Sequence, residues 1–253
     1  MYRIVVPSRR RAVNVRKMAD LLGSDIVFFV HESEREAYER AGARVESHGI
    51  VGSMARIRNA ILDRFLEETD AVVMCDDDLQ HVQAKTHEKC YRLTDREDIL
   101  AVIGNGVMIA LDSGCGLFGW SRHANPLKYA PHDPFSVAAP VAGCFVCTKN
   151  TPRADENLTT FEDLDMTLSA MKMQRFVLID CRFWFCFGRC WKGTGGNQGL
   201  RTGKSENQDR SYIRVKWGPY VDIGKSRLAT RKKNSVTGMS IRVNRRSNLS
   251  STK

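Results

Sequence analysis

The sequence predicts an α/β fold: a mostly parallel, Rossmann-like sheet with helices on both faces, an irregular second half and a basic C-terminal arm. Three observations carry this. Strand-like and helix-like patterns alternate through the first half of the chain, the order that builds parallel βαβ units. The apolar run Ala71-Val72-Val73-Met74-Cys75 reads as a strand buried on both faces, and three aspartates, Asp76, Asp77 and Asp78, close it. The net charge of +10 sits in one place: nine of the 39 Lys and Arg residues follow residue 222, where there is no Asp or Glu.

The elements follow in order. Residues 2–6 form a strand and 14–22 a short amphipathic helix. Residues 25–30 form a second strand, 33–41 a charged helix and 43–46 a short third strand. Ser53 caps a helix through residue 66, with Ile57, Ala60, Ile61 and Phe65 at helical spacing. The strand 71–75 follows. Thr94 or Asp95 then opens a short helix to residue 102, and 106–111 reads as a strand. Residues 113–133 read as a long excursion and 140–148 as a strand. Thr160 caps a helix over 161–173, and 176–187 is strand-like. The predicted organisation is one catalytic-size body, residues 1–222, and the arm, 223–253.

Composition narrows the class. At 253 residues the chain is long enough for one α/β domain with a full core. The longest apolar stretch, 183–187, is too short to span a bilayer, and a strand-like Ile4-Val5-Val6 opens the chain, so a soluble, cytoplasmic protein without a signal peptide is expected. Several of the eight cysteines fall inside apolar strands, as reduced, buried thiols do. Cys144-x-x-Cys147 and Cys186-x-x-x-Cys190 have spacings a zinc site uses. Strand alternation, however, sends Cys144 and Cys147 to opposite faces. The arm suits a polyanion, most simply nucleic acid; a solubilising tail is the alternative.

Four motifs carry candidate chemistry. Ligands of open α/β sheets bind beyond the carboxyl ends of the strands, where the aspartate triplet stands. Clustered carboxylates repel unless a cation joins them, and hard oxygens suit Mg²⁺ or Mn²⁺; a solvated acidic turn is the alternative. Pro7-Ser8-Arg9-Arg10-Arg11 ends the first strand with guanidinium groups that bind phosphate or stack on a base. Arg56 and Arg58 lie at a helix start, a place unfavourable for cations unless an anion joins them. Glu162, Asp163 and Asp165 crowd the first turn of a later helix, which the helix dipole alone explains, or which supplies a general base.

Residues 188–204 contain six glycines, with Arg189, Lys192, Arg201 and Lys204 and no acid, a composition suited to closing on phosphates or to a plain flexible loop. Residues 198–205 nearly spell a P-loop, but the first glycine is out of register and no strand precedes it. His123 and His132 lie in the middle excursion, and no histidine follows His132.

Taken in order, the strand opened by Val5-Val6-Pro7-Ser8-Arg9, the segment Ala55-Arg56-Ile57-Arg58-Asn59, the triplet as an Asp-x-Asp motif and the later acidic Glu162-Asp163 resemble the GT-A glycosyltransferases. Within that fold the chain looks most like the phage TET-associated glycosyltransferases, which modify DNA. The resemblance implies a hexosyltransferase-type enzyme moving a sugar from a nucleotide sugar, a UDP-sugar above all, to a hydroxymethylated pyrimidine of the 5-hydroxymethylcytosine type in DNA. Asp76 and Asp78 would hold Mn²⁺ or Mg²⁺, and Asp77 would lie on sugar or ribose. Ser8, Arg9, Arg56 and Arg58 would contact the nucleotide, and Arg201 and Lys204 would close on the diphosphate. Asp163, or second Glu162, would deprotonate the acceptor hydroxyl if the reaction inverts the anomeric centre. Many GT-A enzymes supply a further metal ligand, often a histidine, late in the chain; none follows His132 here, so that ligand is absent, a carboxylate or water. The expected location is the cytoplasm, of an infected cell if phage-encoded, with no membrane and no obligate protein partner. Two other readings stay open: a GT-A enzyme acting on a glycan or protein, and a non-catalytic nucleic-acid-binding α/β protein.

Overall fold

A computed structural model describes residues 1–121, 125–126, 129–188, 202–223 and 239–241. Its centre is a ten-stranded sheet flanked by helices on both faces, so the α/β class expected from the sequence is what the structure shows. The N-terminal strands are β1 (Tyr2–Pro7), β2 (Val27–His31), β3 (Arg44–His48) and β4 (Ala71–Cys75), paired in parallel in the order β3-β2-β1-β4. Helices α1 (Val15–Leu22), α2 (Arg35–Arg40) and α3 (Met54–Phe65) connect them.

The sheet continues from β4 through β9 (Cys144–Thr148), β7 (Leu117–Ser121), β10 (Leu178–Phe187), β5 (Leu79–Lys85) and β6 (Cys90–Leu93), with β8 (Phe135–Ser136) beside β10. Strands β5, β8 and β9 run against the rest. Consecutive strands whose side chains alternate between faces build two apolar layers. One gathers Met18, Phe28, Val73, Ile103, Phe118, Trp120 and Val146 under α1 and under α4 (Arg96–Asp112). The other gathers Val5, Ile61, Met74, Phe145, Cys147 and Met166 under α3 and under α5 (Glu162–Gln174).

Cys144 and Cys147 fall into opposite layers, as strand alternation requires. Burial pushes the Cys147 thiol up to about 12, which keeps it protonated and unreactive. No helix among the described residues is long and apolar enough to cross a membrane.

Three elements depart from expectation. The helix opened by Asp95, whose side chain accepts from the Glu97 amide, does not stop at residue 102 but runs through Asp112. It absorbs the segment 106–111 that reads as a strand. Val102, Ile103, Val107 and Ala110 are its buried face, and Gly106 lets it lie against the sheet: a Cβ there would meet the rings of Trp120 and Phe118 at 2.6 and 2.7 Å. Tertiary packing overrides the β-branched bias of Val107 and Ile109.

The second departure is the hairpin β5–β6 that follows the triplet directly, and the strand β7 inside the presumed excursion. The third is α6 (Gly203–Trp217), opened by a Thr202–Ser205 capping box. It packs Ile213 and Trp217 against Leu164 and Leu168 of α5. Beyond it β11 (Val221–Ile223) pairs antiparallel with β12 (Met239–Ile241).

Candidate active site at the carboxyl end of β4

The aspartates stand at the carboxyl end of β4 beside the ends of β1 and β9, and the backbone is fixed from several sides. Asp76 N–H donates to the Gly143 carbonyl (2.7 Å), Asn14 Nδ2 to the Asp77 carbonyl (2.9 Å) and Gly188 N–H to the Asp78 carbonyl (3.0 Å). Gly143 is required twice: its φ is +74°, and a Cβ would collide with the Phe187 ring.

The three carboxylates have different surroundings. Asp77 is 5% exposed. Its oxygens accept from Ser8 Oγ and Arg11 Nη1, both at 2.5 Å, and Ser8 in turn bonds the Tyr38 hydroxyl (2.6 Å), which accepts from the Arg11 amide (3.0 Å). Asp77 thus ties the loop after β1 to the end of β4. Asp76 and Asp78 are half-exposed.

Loss of hydration pushes the Asp76 carboxyl up to about 7; Arg58 opposes this, while Asp78, Asp77 and Glu162 add to it. The side chain keeps 36% of its surface open, so water tempers the shift. Desolvation and then Asp77 also raise Asp78, against Arg11 at 3.6 Å.

Arg58 is the hinge of the arrangement. It is 3% exposed on α3, with Nη2 3.5 Å from Asp76 Oδ1, Nε 3.3 Å from Glu162 Oε1, and its guanidinium 4.9 Å above the Phe145 ring. Burial would lower its pKa, but Asp76 and Glu162 raise it and hold the charge. The sequence asks for an anion at the start of α3; the structure supplies the protein's own carboxylates. Arg58 therefore faces Asp76 and Glu162, and Arg56, exposed, lies 3.6 Å from Glu156. Ser53 is the N-cap residue, yet its hydroxyl makes no capping bond.

Glu162 and Asp163 open α5. Glu162 is buried against Arg58, whereas Asp163 is half-exposed, its Oδ1 accepting from the Leu164 amide (2.8 Å). The cap is not Thr160, whose hydroxyl donates to Asp209 on α6 (2.8 Å), but Phe161, held left-handed at φ 65°. A bulky residue there is strained, and Arg10 (φ 54°) is strained likewise in the loop after β1; both flank the site.

Asp165 is fully buried, bonded by Trp217 Nε1 and Lys216 Nζ at 2.8 Å, and belongs to the packing of α6. Arg9 is half-exposed at the end of β1 and makes no ion pair among the described residues. Lys204 lines a shallow groove on the outer side of α6 with Tyr212 and Val215, in no ion pair among the described residues. Arg201 lies outside the described residues, as does His123.

The residues present suit a hard divalent cation in one respect: Asp76 and Asp78, two residues apart, are carboxylates whose charged forms burial and neighbouring carboxylates disfavour. Among the described residues no third His, Cys, Asp or Glu converges on them. Two such carboxylates fit an ion whose other ligands come from substrate oxygens and water. Tyr38, Asn14 and Gly143 escaped the sequence reading because each reaches the triplet only through the fold; Arg11 stood in the arginine run but without a sign that it, and not Arg9, turns inward.

No protein-family model and no curated protein matches the sequence. Among solved structures the chain is similar to S. aureus TarS, at 11% identity and a TM-score of 0.43 over 73% of this chain and 60% of that one. It is similar also to the mannosyltransferase PcManGT of Pyrobaculum calidifontis, in complex with GDP-Man and Mn²⁺, at 12% identity and 0.48 over 71% and 56%. A third is a CMP:2-keto-3-deoxy-manno-octonic acid synthetase complexed with CTP, at 10% identity and 0.39 over 85% and 99%. The chain spans 60% and 56% of the lengths of the first two. Likeness at this level assigns neither substrate nor chemistry, and the functional reading rests on the site itself.

Proposed function

We propose that this chain is a metal-dependent, GT-A-like glycosyltransferase that moves a sugar from a nucleotide sugar to a hydroxymethylated pyrimidine in DNA. One observation carries the reading. Two half-exposed carboxylates whose charged forms burial disfavours, Asp76 and Asp78, stand at the ligand end of an α/β sheet, and Arg58 links Asp76 to Glu162 at the start of α5.

Asp76 and Asp78 would hold Mn²⁺ or Mg²⁺. A cation there supplies Lewis-acid stabilisation of a departing diphosphate. Asp77, its oxygens taken by Ser8 and Arg11, positions the loop after β1 and so presents Arg9 to the nucleotide. Asp163 keeps an accessible carboxylate and takes the acceptor hydroxyl's proton. Glu162, held by Arg58, fixes the helix start. Arg201 and Lys204 remain candidates for closing on the diphosphate. The DNA acceptor draws its support from the basic excess after residue 222, since clustered Lys and Arg bind phosphate backbones.

The test is to incubate the protein with hydroxymethylated DNA and a panel of nucleotide sugars, with and without chelator, and to weigh the digested nucleosides. We expect a nucleoside heavier by one sugar, lost on chelation and reduced more than about 100-fold by Asp78→Ala. Transfer undiminished by chelator or by Asp78→Ala removes the metal mechanism; transfer to glycans and not to DNA removes the acceptor.

A further inference from the structure

Among the described residues, one face of the far half of the sheet carries half-exposed side chains beside the aspartates. On β10, Phe185 is buried in the layer under α1 and α4, and Phe183 and Phe187 pack against the same layer. Strand alternation turns Trp184 and Cys186 to the other face. There Trp184 belongs to none of the buried clusters and is half-exposed. Register sets it in a cross-strand row with Gln83 of β5, Arg92 of β6 and Ser121 of β7, and sets His81 beside Cys186 in the next row.

The face has order and charge. The His81 ring stands edge-on to Trp184 (centroids 5.8 Å apart, 84° between planes), and its Nε2 lies 3.1 Å from Gln83 Nε2, so the indole is braced. Lys85, buried, reaches across β10 to Ser121 Oγ at 2.5 Å and makes no ion pair among the described residues. Arg92 is exposed in the same row. The charged groups acting on His81 are Arg92 and Lys17, both cations, and with burial they lower its pKa. Trp184 lies four residues before Gly188, whose amide is bonded to Asp78, so about 13 Å of strand separates it from the triplet.

We propose that this face, centred on Trp184 with His81 and Arg92, is the platform that receives the acceptor strand of DNA, one unstacked base lying on the indole and its phosphates facing Arg92. A braced aromatic ring beside the exposed Arg92 suits a base and its phosphate backbone, and enzymes that act on a base take it out of its stack. This rests on the DNA reading above and adds where the acceptor sits.

The experiment measures binding of a short fluorescein-labelled single strand containing 5-hydroxymethylcytosine by anisotropy, with metal-stimulated hydrolysis of the nucleotide sugar as a separate readout. We expect Trp184→Ala to weaken binding about tenfold and Trp184→Phe less than about threefold, both leaving donor hydrolysis intact. Arg92→Ala should lower the slope of log affinity against log salt by about 0.7. Donor hydrolysis with strand binding unchanged in Trp184→Ala overturns the platform and leaves the transferase reading standing. A Trp184→Ala protein that loses affinity for an oligosaccharide and not for the strand overturns it in favour of a sugar-binding face. Wild-type protein that binds no strand at all refutes the platform and the DNA acceptor together.

Discussion

Two aspartates in this chain are treated in opposite ways. Burial would raise the Asp155 carboxyl, yet hydrogen bonds from Lys216 and Tyr212, both at 2.7 Å, pull it down to about 2. Asp76, at the end of β4, is pushed up to about 7 chiefly by burial, which one arginine at 3.5 Å opposes and three neighbouring carboxyl groups reinforce. The first is a satisfied charge: together with Asp165 it clamps α6 onto the body through Lys216. The second is a charge the fold disfavours. A bound cation would relieve that cost, as proposed for Asp76 and Asp78.

The comparison can be broken first at Arg58. It is the buried counter-charge shared by Asp76 and Glu162, and Arg58→Gln removes that charge from both. We expect about 3 kcal/mol of lost stability in urea unfolding. A change within experimental error would mean that the Arg58 contacts do not balance the site.

Next in size is the acid limb at Asp155. Its folded carboxyl lies below its ordinary value of 3.8, so its contribution is complete above that value and is lost as pH falls from about 4 toward 2. Because the pair with Lys216 is partly open to water, about 1–2 kcal/mol is expected. Asp155→Asn should remove that part of the pH dependence and loosen α6, seen as faster amide exchange over 203–217. Retention of the limb in Asp155→Asn would transfer it to other carboxylates.

The smallest effect has the opposite sign. The folded Asp76 carboxyl is raised, so the folded state holds its proton longer, and stability is greatest below the ordinary carboxylate range and declines as pH rises through about 7. Asp76→Asn should abolish metal binding in isothermal titration yet raise stability at pH 8 by about 1 kcal/mol, discounted for an exposed side chain. A destabilised Asp76→Asn would show that the carboxylate is structural, like Asp155.

How much of this was legible beforehand varies along the chain. The four parallel strands and their helices are encoded locally: each apolar run is bounded by turn residues, and the pattern survives whatever packs on it. The segment 106–111 misleads because Val107, Met108 and Ile109 look like a strand, and only the ring surfaces of Phe118 and Trp120, against which Gly106 must lie, make it a helix. The hairpin after the triplet has no strong turn pair, and α6 offers a polar helix whose few buried residues, Ile213 and Trp217 among them, mean little without α5. At the site, the triplet and Glu162-Asp163 could be read directly, because carboxylates clustered at a strand end or a helix start are visible in the sequence.

The sequence by itself determined the α/β class, the parallel N-terminal half, the acidic end of β4 and the basic arm. Each depends on residue pattern or composition over a short stretch. Only the tertiary structure decided that Asp77 is a tie to Ser8 and Arg11 while Asp76 and Asp78 stay open, that Arg58 faces inward to two carboxylates, and that Asp165 serves α6. Those outcomes rest on which groups meet across 18 to 104 residues of chain, and charge balance and burial are properties of that meeting.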